Sequence, residues 1–215
     1  MKKGLFFLLV GCCMTACNSS PSADTKAAPA ARPPKVLVAY FSHSGENYSV
    51  GDIKEGNTQK VANEIARQTG GTLFRIRAVD KYPAEYDACT QRAKNEQTTN
   101  ARPALTARVE NMDEYDVIYL GYPIWWGDMP MPVYTFLESY DFSGKTVHPF
   151  STHEGSGLGR TETSLKEILP KTAILKPGMS IKGHVAQKEP SAVFTAVRNW
   201  LDKSKNLLHV KTPPS

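Results

Sequence analysis

An α/β fold is predicted by this sequence, with a mostly parallel, doubly wound sheet of five strands and helices on both of its faces. Two observations support the prediction. Short apolar runs at 36–41 and 115–120 are typical of strands that are buried on both faces. Segments with apolar residues at helical spacing alternate with such runs. The 215 residues, 40% of them hydrophobic and 22% charged, suit one globular domain with short extensions.

The elements follow one another in strand–helix alternation. Asn57 or Thr58 can cap the first helix, and Gly70 and Gly71 end it. Pro149 weakens the fourth strand, because a proline cannot donate a hydrogen bond to a β-ladder. The predicted strands are 36–41, 72–76, 115–120, 145–151 and 173–175. The first helix is predicted between its cap and Gly70, further helices are predicted at 84–97 and 160–169, and apolar residues at helical spacing indicate two more helices around 133–137 and 193–201.

The first seventeen residues, MKKGLFFLLVGCCMTAC, predict a bacterial lipoprotein signal. Lys2 and Lys3 form a positive start, residues 4–10 form a short apolar segment, and small residues precede Cys17. We expect residues 1–16 to be removed and Cys17 to be acylated. Cys12 also fits the cleavage rule but would leave a very short signal. An ordinary secretory signal or a core strand is the alternative interpretation of the segment.

The next segment, 17–34, carries the lipidated cysteine and is rich in Ser, Ala and Pro. It lacks large apolar residues, so we expect a flexible tether before a domain at 35–205, with a loose tail at 206–215. The expected location is the cell envelope, where the lipid anchor alone holds the protein on the exported, periplasmic or surface side of a bacterial membrane. Without residues 1–16, 24 basic residues face 21 acidic ones, and this net charge of +3 is too small to indicate nucleic-acid binding.

The loop after the first strand is a candidate phosphate site. Ligands of doubly wound sheets bind at the carboxyl ends of the strands. A helix N-terminus there supplies free N–H groups and a partial positive charge. A polar turn followed by a helix cap is the alternative interpretation. The candidate residues are Ser42, His43, Ser44, Gly45, Asn57 and Thr58.

A second candidate site follows the third strand, where two tryptophans stand beside proline and glycine. Aromatic side chains stack well on flat ligands, and packing in the core is the alternative use of a tryptophan. The candidate residues are Pro123, Ile124, Trp125, Trp126 and Gly127.

Both candidate regions resemble one family. The run VLVAYFSHSG…GNTQKVANEIA, within residues 36–66, is similar to the phosphate-loop motif of flavodoxins. The run DVIYLGYPIWWGDMPMPVYTFLESYDFSGKTVHPFSTHEGSGLG, residues 116–159, resembles the flavodoxin-like subgroup with a G-Y-P-I-W-W loop. The resemblance covers roughly residues 35–205. It implies a flavodoxin-like sheet of order 2-1-3-4-5 and a noncovalently bound FMN, with its phosphate at the first loop.

The resemblance also implies roles for single residues. Trp126 is expected to stack on the flavin ring, with Trp125 packed inward. A second flavin loop is expected after the fourth strand, with backbone N–H groups that reach the pyrimidine edge and the N5 region. His153 in this loop could donate a proton to reduced flavin, or it could be a surface histidine with no role. The residues of this loop are Thr152, His153, Gly155, Ser156 and Gly157.

The chain departs from the family motif in one place. Residues 46–56 stand between the two halves of the phosphate loop, which are adjacent in the compact motif. Such an insertion can fold outward and leave both halves in place. It can also cover the ligand or change its affinity.

The predicted function is electron transfer in the cell envelope by an FMN-binding flavodoxin-like protein, with a redox partner protein or a small electron donor or acceptor. One alternative is an NAD(P)H-dependent quinone or small-acceptor reductase. The other is a non-catalytic binding lipoprotein that has lost FMN, which the insertion would favour. The scattered histidines predict no metal site, and the absence of a G-x-S-x-G motif around the serines argues against a hydrolase.

Overall fold

The computed structural model describes Met1 and residues 32–209 of the chain. Residues 2–16 of the predicted signal, Cys17 and most of the predicted tether lie outside the described residues, as do residues 210–215. The strands are β1 Val36–Phe41, β2 Gly45–Asn47, β3 Gly51–Ile53, β4 Thr72–Ile76, β5 Val117–Pro123, β6 Thr146–His153, β7 Ile174–Leu175 and β8 Met179–Lys182. The helices are α1 Asn57–Thr69, α2 Tyr86–Thr98, α3 Met131–Glu138, α4 Thr161–Ile168, α5 Gly183–Lys188 and α6 Pro190–His209.

The main sheet is parallel and has the order β4-β1-β5-β6, with β7 and β8 both paired to the outer side of β6. When β7 and β8 are counted as one interrupted strand, this is the predicted order 2-1-3-4-5. The doubly wound α/β fold is therefore confirmed. In such a sheet, the carboxyl ends of β1, β5 and β6 meet at one edge.

Pro149 lies inside β6 and pairs with Leu120 of β5. On the other side of β6, β7 pairs with residues 146–147 and β8 pairs with residues 150–153. The fifth strand is thus interrupted opposite the proline. The position of this interruption is explained by the proline, because it has no N–H to donate to a neighbouring strand.

Two core clusters cover the two faces of the sheet. Side chains of β1 alternate between them: Leu37 and Phe41 belong to one cluster, and Val38 belongs to the other. The first cluster includes the fully buried Phe136 of α3, and the second includes the fully buried Ile65 of α1. Alternation in β1 therefore explains why helices pack on both faces.

Several elements differ from the sequence prediction. The inserted residues form a separate antiparallel hairpin, β2–β3. A strand and a helix that were not predicted, β8 and α5, lie between β7 and the last helix. That last helix begins at Pro190 and continues to His209, into the segment predicted as a loose tail. Within the described residues, no helix combines the length and apolar character that crossing a bilayer requires.

Candidate functional site

A cavity of about 600 Å³ opens at the carboxyl ends of β1, β5 and β6. It is lined from all three loops that the sequence analysis selected. The selected residues that line it are His43, Asn57, Pro123, Ile124, Trp125, Trp126, Thr152, His153, Gly155 and Ser156. The selected residues that lie outside its lining are Ser42, Ser44, Gly45, Thr58, Gly127 and Gly157.

Gly56 holds the two halves of the first loop together. A Cβ atom on Gly56 would lie 2.9 Å from the carbonyl carbon of His43, and nearer still to the His43 oxygen and to Ser42 Oγ. The Gln59 N–H in the first turn of α1 donates to Ser42 Oγ over 3.1 Å. The insertion therefore leaves the end of β1 and the start of α1 in direct contact, and Ser42 caps the helix across that contact.

Unpaired backbone donors surround this junction. Within residues 32–209, the N–H groups of His43, Ser44, Asn57 and Thr58 have no hydrogen-bond acceptor. Asn57 and Thr58 are the first two residues of α1, so their N–H groups have no acceptor within the helix. The N–H groups of His43 and Ser44 precede the helix, and such groups without acceptors are rare in folded proteins. Several of them beside a helix N-terminus form an anion-binding arrangement. The Thr58 and Thr152 hydroxyls, 2.7 Å apart, connect the junction to β6.

The hairpin β2–β3 forms an outer wall of the cavity. It docks on the segment before α2 through two bonds of Glu46: its N–H donates to Ala84 O over 2.8 Å, and its carboxylate accepts from the Tyr86 N–H over 2.9 Å. The Tyr48 ring lies 6.3 Å from the Tyr86 ring, centroid to centroid. Gly45 at its base adopts a φ of 103° and touches Ala84, so a larger residue there would be both strained and crowded.

The two tryptophans have opposite environments. Trp126 and Gly127 occupy the centre of a turn closed by backbone bonds between Trp125 and Asp128, and both central residues have positive φ (51° and 80°). Such a type I′ turn favours Gly or Asn, so a tryptophan there is strained. The turn directs Trp126 outward, where it is 54% exposed. Trp125 instead packs edge-on against Phe41, with ring centroids 5.3 Å apart.

Contacts with α2 fix the Trp126 ring. Its Nε1–H donates to Thr90 O over 2.9 Å, and the Lys94 ammonium lies 5.0 Å from the ring centroid. At the other end of the turn, the buried Asp128 carboxylate accepts from the hydroxyls of Tyr134 and Ser164. The turn is therefore anchored on both sides, which presents the Trp126 ring in one orientation.

The loop after β6 is organised by His153. The N–H groups of Gly155 and Gly157 donate to His153 Nδ1 over 2.8 and 3.0 Å. The resemblance implied that backbone N–H groups of this loop reach a ligand, but the structure uses these two within the loop. Because Nδ1 accepts, the proton of the neutral ring is on Nε2. The pKa of His153 is lowered, mainly by burial. The negative charge of Glu154 raises this pKa, and the positive charge of Lys182 lowers it. An imidazolium acting as proton donor is thus disfavoured here.

A family model described as Flavodoxin matches residues 35–203. The chain belongs to the flavodoxin family. It is 32% identical to a protein from Bacteroides eggerthii assigned as a flavoprotein, over 79% of this chain and 97% of that chain, with a TM-score of 0.63. A similar protein from Bacteroides uniformis is 30% identical, over 78% and 99% of the two chains, with a TM-score of 0.60.

A third solved structure agrees with this flavodoxin fold. The flavoprotein of Lactobacillus acidophilus, solved in complex with FMN, is 21% identical over 74% of this chain and 99% of that chain, with a TM-score of 0.54. At this identity the likeness concerns the fold.

The cavity has walls that were not predicted from the sequence. Helix α2, predicted only as a polar helix, lines the cavity with Tyr86, Asp87, Cys89, Thr90 and Ala93. Its buried stripe of Cys89, Ala93 and Glu96 follows helical spacing, and this was the available signal for a packed face. Burial raises the pKa of the Cys89 thiol to about 11, so the thiol is protonated at neutral pH and is a poor nucleophile.

The lining of the cavity is acidic. It contains the carboxylates of Glu46, Asp87 and Glu154, and among the described residues that line it there is no lysine or arginine. Glu154 is held at the start of α5, where its carboxylate accepts from the His184 N–H over 2.7 Å and lies 2.8 Å from His184 Nδ1. These carboxylates would repel a second, negatively charged ligand that approached them.

Proposed function

We propose that this flavodoxin-family protein binds FMN and transfers electrons in the cell envelope. One observation carries the proposal: the unpaired N–H groups of His43, Ser44, Asn57 and Thr58 adjoin a cavity whose wall includes the exposed Trp126 ring. A phosphate needs such donors, and a flavin ring needs such an aromatic surface. The FMN complex of the Lactobacillus acidophilus flavoprotein supports this choice of ligand.

The volume of the cavity supports a ligand of the size class of FMN. This volume, about 600 Å³, lies within the range of roughly 300–1,000 Å³ for small-molecule sites. His43 and Asn57 would lie near the phosphate, and Trp126 would flank the ring. Bound FMN would supply the one- or two-electron chemistry. The protein would position the ring, exclude water from one face and hold His153 in its neutral form.

The test of the cofactor is a visible spectrum. The full-length chain is purified, mixed with FMN, and freed of unbound flavin by gel filtration. We expect a yellow protein with stoichiometric flavin and quenched tryptophan fluorescence. A protein that stays colourless at high FMN concentration would overturn the proposal and favour a binding lipoprotein that has lost FMN.

We further propose that Cys17 carries the lipid that places the domain at the membrane, on the exported side. The support is the signal-like segment before Cys17. The test compares Cys17→Ala with Cys12→Ala in cells fed a labelled fatty acid. We expect Cys17→Ala to lose the label and leave the membrane fraction, whereas Cys12→Ala keeps both. The opposite pattern would move the anchor to Cys12.

The acidic lining favours an electron carrier over an NAD(P)H-fed reductase. A pyridine nucleotide carries a negatively charged pyrophosphate, and the carboxylates of Glu46 and Asp87, which line the cavity, would repel it. We expect NADH and NADPH to leave the bound flavin oxidised when no partner protein is present. Rapid bleaching by either nucleotide would favour the reductase instead.

A further inference from the structure

Arg75 stands behind the phosphate loop without being part of the cavity. It lies on β4 in register with Tyr40 of β1, so its side chain shares the face of the sheet that α1 covers. Its Nη2 donates to the carbonyl oxygen of Ser42 over 3.2 Å. The guanidinium therefore contacts the peptide that joins Ser42 to His43, at the carboxyl end of β1.

The charge of Arg75 is poorly compensated by the protein. Its Nε is buried and has no hydrogen-bond partner, and no carboxylate of the described residues lies within ion-pair distance. Burial, and then the positive charge of Arg77, lower the pKa of Arg75, while Tyr40 and Glu55 act in the opposite direction. An arginine stays charged in such surroundings. A half-buried cation without an ion pair is costly unless an anion approaches it.

The contacted peptide links this cation to the unpaired donors. The Ser42–His43 peptide is trans, so its carbonyl and its N–H point in opposite directions. Arg75 binds the carbonyl end, and the N–H end belongs to His43, one of the donors without an acceptor. A cation at the carbonyl end polarises the peptide and strengthens the N–H as a donor. The same charge also attracts an anion directly, because the interior screens it weakly.

We propose that Arg75 is a positioning residue that supplies the positive charge for the phosphate of a phosphorylated flavin. It would make the protein select FMN, with its dianionic phosphate, over riboflavin, which has none. This inference rests on the proposed function, since it assumes that the flavin phosphate occupies the loop at Ser42 and His43.

The experiment measures dissociation constants for FMN and for riboflavin with full-length apoprotein, from quenching of flavin fluorescence. Arg75→Gln removes the charge and keeps a donor for the Ser42 carbonyl, whereas Arg75→Lys keeps the charge. Arg67→Gln removes an exposed positive charge from the last turn of α1 and serves as the control. Thermal unfolding of each apoprotein checks that it folds.

We expect Arg75→Gln to weaken FMN binding about tenfold and to leave riboflavin binding within about twofold. Arg75→Lys should retain most of the FMN affinity, and Arg67→Gln should match the wild type. FMN binding should also depend less on salt in Arg75→Gln than in the wild type, because one charge pair is lost.

If the wild type binds FMN, three results would overturn the proposed role of Arg75 and leave the proposed function standing. These are unchanged FMN affinity in Arg75→Gln, equal losses of FMN and riboflavin affinity, and an Arg75→Lys protein as weak as Arg75→Gln. The last two results would mean that Arg75 only supports the shape of the loop. A wild-type protein that binds neither flavin would overturn the proposed function itself.

Discussion

Substitution of Gly56 by alanine tests whether contact between the two halves of the phosphate loop is required for FMN binding. The backbone of Gly56 has φ −67° and ψ 154°, which any residue adopts, so alanine causes no conformational strain there. Its Cβ would instead overlap the His43 carbonyl and Ser42 Oγ. Overpacking against backbone costs about 1–3 kcal/mol, and displacing the Ser42–Gln59 bond costs about 1 kcal/mol more. We therefore expect a total loss of roughly 2–4 kcal/mol.

Urea unfolding of the apoprotein measures this loss, and an FMN titration measures its effect on the site. Separation of the loop halves should weaken FMN binding by about 100-fold or more, which is roughly 2.7 kcal/mol. Gly51→Ala is the matched control: Gly51 has a φ of 77°, and nothing lies within 4 Å of an added Cβ. It should lose only about 1 kcal/mol from strain and keep its FMN affinity. Equal stability and equal FMN affinity of Gly56→Ala and the wild type would refute the described loop geometry.

Further predictions concern three other parts of the protein. Trp126→Ala should weaken FMN binding about tenfold with little loss of stability, whereas Trp125→Ala should cost about 3 kcal/mol of stability. FMN titration measures the first effect and urea unfolding measures the second. A reversed pattern would exchange the roles of the two tryptophans. Burial, and then the positive charge of Lys176, lower the pKa of His148 to about 4 in the folded protein. When the pH falls, the histidine is therefore protonated in the unfolded chain before it is protonated in the folded one. The free energy of unfolding should decrease as the pH drops from 6.5 towards 4, by up to about 3 kcal/mol. His148→Phe should flatten this pH profile of unfolding, and an unchanged profile would count against the assignment. The double substitution of Glu46→Gln with Asp87→Asn should speed reduction of an anionic quinone by the reduced protein more than that of a neutral one, and equal rate changes would contradict the proposed repulsion.

The main strands were predictable because their hydrophobic patterns are strong, whereas the hairpin β2–β3 and the strand β8 have weak patterns and were not predicted. β1 and β5 are continuous apolar runs, whereas the hairpin β2–β3 consists of two three-residue strands without a fully buried side chain. No periodicity could reveal it. β8 was missed although Met179 and Ile181 alternate with exposed residues, because four residues between polar segments give a short signal.

The candidate site was predictable where a local motif encodes it. The loops at 42–45, 123–127 and 152–157 each follow a strand, so their meeting at one edge follows from the fold class. Arg75 was not predictable in this way, since its contact with Ser42 depends on β4 lying beside β1. The internal bonding of His153 was equally hidden, because it depends on the path of a single loop.

The interruption of the outer strand opposite Pro149 also affects how sheets of neighbouring molecules can associate. An intact edge strand is a template on which another chain can extend the sheet. Here that edge offers two residues in β7 and four in β8, with a break between them. An incoming strand would gain only short runs of backbone bonds. For a protein concentrated on a membrane surface, as proposed for this one, such an edge favours separate copies over edge-to-edge aggregates.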